Sequence, residues 1–299
     1  MKKLLFFLGA VCFAALSCTK EKTDYEGAID SVVPGQTAFK EAASAQAGDY
    51  GISVEALNGA FYTGYNEIRV KITDHPVNAG GDAAAVTLLP ITADGDGGTG
   101  SCPHRYELVY RPDSNYYSGY SVFTDESHAD RTWVLEIGLA WGNQTVTAKL
   151  PITVAEQPNR NRGMTAFTGE DDNAYIIALV APQQPNVGEN ELVAGIYRLD
   201  GTDPSGLSYA EVSGYTLMLD PRMPEPSMGN HSSPNNVDLT QQDDGLYHGV
   251  VNYTMTGNWT LNFIMLNGDG RIVKGTEVPT DFTPGVEGVK SELYIDVLF

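Results

Sequence analysis

Gly64-Tyr65-Asn66-Glu67-Ile68 returns 124 positions later as Gly188-Glu189-Asn190-Glu191-Leu192. Outward from that pair, three more matches follow in the same order. Ser101-Cys102-Pro103 stands against Ser232-Ser233-Pro234 at a spacing of 131. Tyr117-Ser118-Gly119-Tyr120 stands against Tyr247-His248-Gly249-Val250 at 130, and Thr132-Trp133-Val134-Leu135 against Asn258-Trp259-Thr260-Leu261 at 126. A self-match at a nearly constant period is the mark of a repeated structural unit. The sequence predicts two copies of one domain, residues 49–155 and 166–299, separated by the aperiodic polar stretch from Glu156 to Gly163.

Each copy reads as short strands. Ile52, Val54 and Ala56 alternate with polar neighbours, as do Ile68, Val70 and Ile72, and Trp133 to Ile137 and Val146 to Val154 continue the pattern. A period of two is that of half-buried strands. Turn chemistry separates them at Asn58-Gly59, Gly80-Gly81, Asp243-Asp244-Gly245 and Asn267-Gly268-Asp269-Gly270. The predicted fold class is all-β, with two tandem immunoglobulin-like antiparallel β-sandwich domains. Trp133 and Trp259 begin apolar strands in matching places and are expected to pack between the sheets, each indole N–H finding a partner.

The N-terminus sets the address. Lys2 and Lys3 precede the apolar run Leu4 to Leu16, which is too short to span a bilayer. It ends in Ala14-Ala15-Leu16-Ser17-Cys18, which resembles a bacterial lipobox. The expectation is a lipoprotein signal peptide over 1–17, lipidation at Cys18, and a flexible tether over 18–48, with a short alanine-rich helix within Thr37 to Ala47. Membrane attachment is then through the lipid, and Thr19, not aspartate, after the cysteine points to the outer membrane.

The chain of 299 residues carries 38 acidic and 18 basic side chains, a formal net charge of −20. Cleavage removes two lysines and no acid, which deepens this to −22. So acidic a chain excludes nucleic acid as a partner, because phosphate binding needs a basic stripe. Cys12 leaves with the signal and Cys18 is blocked by lipid, so Cys102 alone remains and no intrachain disulfide forms. Gly-x-Ser-x-Gly, His-Glu-x-x-His and phosphate-cradling motifs are all missing, and the reading is that the protein is not an enzyme.

The distinctive chemistry lies between Met218 and Pro234. Pro221, Pro224 and Pro226 forbid a helix there, and Met223, Met228 and His231 follow one another as Met-x4-Met-x2-His. Thioethers and imidazole are ligands for soft ions such as copper. Methionine also fills irregular gaps at the end of a sandwich, and spacing alone does not separate the two roles. In the first copy the matching segment, Thr92 to His104, has no methionine, but Cys102 and His104 form a weaker candidate pair. Its Asp94-Gly95-Asp96 lacks the later bidentate acid of a calcium loop.

Those blocks carry a family likeness. Gly188 to Leu192, Leu219-Asp220-Pro221-Arg222-Met223-Pro224, Met228 to Pro234, Gly245-Leu246-Tyr247-His248-Gly249 and Met255 to Trp259 together resemble the FixH/YtkA-like domains. These are small exported immunoglobulin-like sandwiches that recur in copper-handling contexts. The likeness covers about 186–270, and the first copy follows it less closely. It implies copper held by Met223, Met228 and His231. The resulting expectation is a lipid-anchored envelope protein that binds a soft metal. The alternative is a structural or adhesive module presenting the tyrosines Tyr106, Tyr110, Tyr116, Tyr117 and Tyr120 to a protein or glycan partner.

Overall fold

The computed structural model describes residues 38–73, 85–200 and 208–299. The signal peptide, Cys18, most of the tether and the Gly80-Gly81 turn lie outside them. Among the described residues every regular element is a strand. The first half contributes β1 (Phe39–Ala47), β2 (Tyr50–Leu57), β3 (Phe61–Tyr62), β4 (Gly64–Thr73), β5 (Ala85–Asp94), β6 (Thr99–Gly100), β7 (Val109–Arg111), β8 (Tyr116–Phe123), β9 (Arg131–Trp141), β10 (Gln144–Ile152) and β11 (Val154–Ala155). The second contributes β12 (Met164–Thr168), β13 (Ala174–Ala181), β14 (Gly188–Leu199), β15 (Tyr209–Glu211), β16 (Thr216–Met223), β17 (His231–Ser232), β18 (Val237–Gln241), β19 (Tyr247–Tyr253), β20 (Asn258–Leu266), β21 (Ile272–Lys274) and β22 (Leu293–Leu298).

The first half is two antiparallel sheets, β1-β2-β4-β8-β7 and β10-β9-β5-β6. Ile52, Val54, Ile68 and Val70 from one sheet meet Val86, Leu88, Trp133, Leu135 and Ile137 from the other in one buried cluster. Full burial of a side chain of this size is worth about 1.5–3 kcal/mol, so this layer is the main source of stability. In the second half β12-β13-β14-β19-β18 run in the same order, and β22, β20, β16 and β17 stand as β10, β9, β5 and β6 do. Here β18 also pairs with β16, so both layers join into one folded-over sheet around a second cluster centred on Trp259, Phe263 and Tyr247.

Matching positions do matching work. The Asn66 side-chain oxygen accepts from the Tyr62 N–H at 3.0 Å, and its amide donates to the carbonyls of Tyr62 and Gly64. Asn190 repeats this with Asn186 and Gly188, at 2.9, 2.7 and 2.9 Å. Each asparagine closes the turn that starts a central strand and satisfies backbone groups the ladder leaves over. Trp133 donates to the Asp125 carbonyl and Trp259 to the Met255 carbonyl, both at 3.0 Å. Gly119 and Gly249 allow close approach: a Cβ would stand 2.3 Å from Leu108 Cδ2 in one and 2.5 Å from the Val237 carbonyl in the other.

Two expectations need correcting. The alanine-rich stretch of the tether is no helix. Phe39–Ala47 pairs antiparallel with β2, from Phe39↔Leu57 to Ala47↔Tyr50. Helix propensity is a weak prior, and a sheet edge that supplies hydrogen-bond partners overrides it. The first sandwich therefore begins at Phe39 and not at residue 49. The segment between the halves is also tied down: Gln157 donates to the Thr63 carbonyl, and Asn159 and Asn161 both donate to the Leu298 carbonyl. Within the first half Tyr65 stacks on Tyr120 at 5.4 Å; across the junction Tyr120 lies 5.8 Å from Tyr197, and the Tyr120 hydroxyl donates to Glu211 at 2.6 Å.

Candidate metal centre

The candidate centre is the hairpin between β16 and β17. Met223 and His231 are direct cross-strand partners, which puts their side chains on one face of the ladder. Met223 is fully buried within the second core. Its Cε lies so near Gly257 that a Cβ there would stand 2.5 Å away. His231 is half-buried: its ring centroid is 6.0 Å from that of Trp259, and Nε2 lies 2.8 Å from the Thr254 hydroxyl. Nδ1 is the nitrogen that this contact leaves. Met228 stands further out, 38% exposed, in a turn where its N–H donates to the Glu225 carbonyl and its carbonyl accepts from the His231 N–H.

The hairpin thus brings Met223 and His231 together and carries Met228 on the turn beyond them. One thioether is core, one is surface, and the imidazole lies between. Among the described residues no group of three or more His, Cys, Asp or Glu side chains converges on a point.

The pair in the first half is arranged differently. Cys102 is fully buried in the first core, and burial pushes its thiol well above its ordinary value, against the thiolate that metals bind. Nδ1 of His104 donates to the Cys102 carbonyl at 2.7 Å, so the imidazole is oriented by the cysteine backbone. Asp94 is paired with Arg131 at 3.0 Å. The tyrosine cluster is no exposed face either. Tyr117 and Tyr120 are 4% and 6% exposed, Tyr110 packs on Tyr117 at 5.0 Å, and Tyr106 alone of the five is mostly in solvent. Strand tyrosines at alternating positions pack into the sheet surface, a preference that composition cannot distinguish from display.

Sequence reasoning passed over several groups around the hairpin. Thr254 holds the histidine, and Glu225 and Asn230 lie buried in the turn itself. Nothing in a linear reading marks Glu225 and Asn230 as buried, because turn residues of these types are usually solvated.

An all-β scaffold with a Met/His hairpin at the end of one sandwich defines the class. The YtkA-like family model matches residues 169–263, from the turn before β13 into β20, and supports a YtkA-like domain there. No curated protein matches the chain. Among solved structures, one titled pT26-6p is similar at 10% identity and a TM-score of 0.25, covering 80% of this chain. The chain spans 64% of that structure's length.

Proposed function

We propose that the chain is a lipid-anchored envelope protein, built from two copies of one sandwich, that binds a soft ion through its second copy without catalysing a reaction. Copper is the ion its donors suit best. The reading rests on one observation: Met223 and His231 face each other across the β16–β17 ladder, with Met228 on the connecting turn. Two thioethers and an imidazole form a donor set of the right softness. Access is from the Met228 side, His231 presents Nδ1, and Met223 closes the site from the core. Copper is cargo here, held and released by these side chains. The net charge of −20 raises the cation concentration near the surface at low salt. The lipobox-like Ala14 to Cys18 supports the anchor, and Thr19 supports the outer membrane.

The test is a titration of the full chain with Cu(I) against a competing chelator. One ion per chain is expected, with affinity falling at least about tenfold in His231→Ala and in Met228→Leu, a loss of about 1.4 kcal/mol in each. Affinity unchanged after Met223, Met228 and His231 are all made alanine removes the proposal.

A second reading, display to a protein or glycan partner, draws on the apolar residues Phe282, Val286 and Val289, which are 45%, 56% and 61% exposed near that hairpin. Binding on a glycan or protein array that is lost in Phe282→Ser, alongside unchanged Cu(I) titration, favours it.

A further inference from the structure

The β16–β17 turn holds two oxygens that nothing else in the described structure satisfies. Oε1 of Glu225 and Oδ1 of Asn230 are buried and without a hydrogen-bond partner, in residues only 9% and 5% exposed. The orientation of the Asn230 amide is fixed, since Nδ2 donates to the Pro279 carbonyl at 2.9 Å. A flipped amide would set oxygen against oxygen, so the unpartnered atom is an acceptor. Each buried acceptor left without a donor is destabilising.

A loop covers this turn. The Gly288 N–H donates to the Pro224 carbonyl at 2.6 Å, and a Cβ on Gly288 would stand 2.7 Å from Asn230 Oδ1 and 3.2 Å from Pro224 Cα. Phe282 packs on Gly229 from the same loop. Burial holds the Glu225 carboxyl above its ordinary value against a hydrogen bond from the Asn258 side chain, and Glu287, next to Gly288, is near enough to raise it further. Lys290 lowers it in part, but its ammonium is engaged by both oxygens of Asp296, at 2.9 and 2.8 Å. Two carboxylates and an amide oxygen, two of their atoms buried and lacking a donor, are gathered where a loop presses on a turn. A cation relieves all of this at once.

Carboxylate and amide oxygens are hard donors, and calcium accepts irregular sets of protein oxygens that magnesium, with its demand for octahedral geometry, does not. We propose that the turn from Pro224 to Asn230 and the loop from Pro279 to Gly288 hold a calcium ion, anchored by Glu225 Oε1 and Asn230 Oδ1 with Glu287 as second charge. Backbone carbonyls and water complete the shell. The site goes beyond the soft-ion reading: it shares the hairpin but uses different atoms and a different class of ion.

The test uses the purified full chain, stripped with chelator and titrated with CaCl2 by calorimetry and by thermal unfolding. One calcium per chain is expected, in the roughly 10⁻⁴–10⁻³ M range of extracellular modules, with a rise in Tm. Glu225→Gln should weaken binding at least about tenfold, equivalent to about 1.4 kcal/mol. Asn230→Asp, which adds charge to a ligand oxygen, should tighten it, an effect that a merely structural asparagine would not give. Cu(I) affinity should be unchanged in both, which separates this site from the soft-ion centre. No heat and no Tm shift up to about 10 mM calcium, well above that range, overturns the proposal. An equal response to magnesium overturns it as well. So does calcium binding that ignores Glu225→Gln, which would assign the ion to the acidic surface at large. Should Asn230→Asp fail to fold, Glu225→Gln decides alone.

Discussion

Two hairpins at the same place in the two halves differ in one backbone detail. In the first, Thr92 pairs with Gly100 and the ladder continues to Ala93↔Thr99, closing in a tight turn where the Asp94 N–H donates to the Gly98 carbonyl. In the second, Met223 pairs with His231 at the same spacing of 131, and the ladder stops. Pro224 stands where Ala93 would be, and its carbonyl accepts from the Gly288 N–H of the loop that follows β21. The chain between the paired residues is seven long in both. In the second half it opens into a broad turn, with Gly229 and Asn230 at φ of 63° and 54°. The flanking strands keep their places, and the second hairpin opens into a loop with buried, unsatisfied oxygens. Chemistry enters such a fold at the ends of its strands, where the ladder can be interrupted without cost to the core.

The comparison can be broken most forcefully at the tryptophans. Trp133→Ala and Trp259→Ala each empty the centre of a cluster and should cost about 3–5 kcal/mol in denaturant unfolding. A loss much smaller in one half than in the other would mean that the cores are not equivalent. Next come the hairpin positions themselves. Met223→Thr leaves a cavity and a hydroxyl in the core and should cost about 2–5 kcal/mol. Thr92→Val removes a buried hydroxyl that has no partner and should be neutral or slightly stabilising. Equal losses at both sites would show that Met223 is not a core residue.

The asparagines come third. Asn66→Ala and Asn190→Ala should each cost about 1–3 kcal/mol by stranding the same three backbone groups, again read by denaturant unfolding. The smallest effect is one of pH, and it belongs to the second half alone, because Ser118 stands where His248 does. Partial burial works against charge on the His248 ring, but hydrogen bonds to Glu191 and Asp244, both 3.0 Å, outweigh it and raise its pKa above 6.5. A raised folded value means the stabilisation is complete below pH 6.5 and fades as pH rises through it. Asp244, held below 3.8 despite some desolvation, contributes above that value and loses its share as pH falls. Partners this exposed limit the effect to no more than about 1 kcal/mol. His248→Gln should flatten stability between neutral and mildly alkaline pH, and an unchanged slope would place the titration elsewhere.

Much of this was legible beforehand. Alternation in Ile52, Val54 and Ala56 and in Ile68 and Val70 named the inward faces, because a strand's side chains must point alternately to core and solvent. Three of the four spaced matches fall on strands with corresponding places in the sheets, β4 and β14, β8 and β19, β9 and β20, because a glycine at a close approach or an asparagine at a turn has few substitutes. The alanine-rich Phe39–Ala47 misled, because its state is set by an edge of β2 that lies outside any local window.

What the sequence determined by itself was periodicity: where strands run and which way they face. Those follow from local sterics and from the period of two. Only the tertiary structure decided which polar atoms end up dry. Met223 and Met228 read alike in one dimension, yet one is sealed and the other is in solvent, and Glu225 and Asn230 are buried because a loop some fifty residues later lies across them. Burial is a property of what else arrives at a point in space, and no stretch of chain carries that information alone.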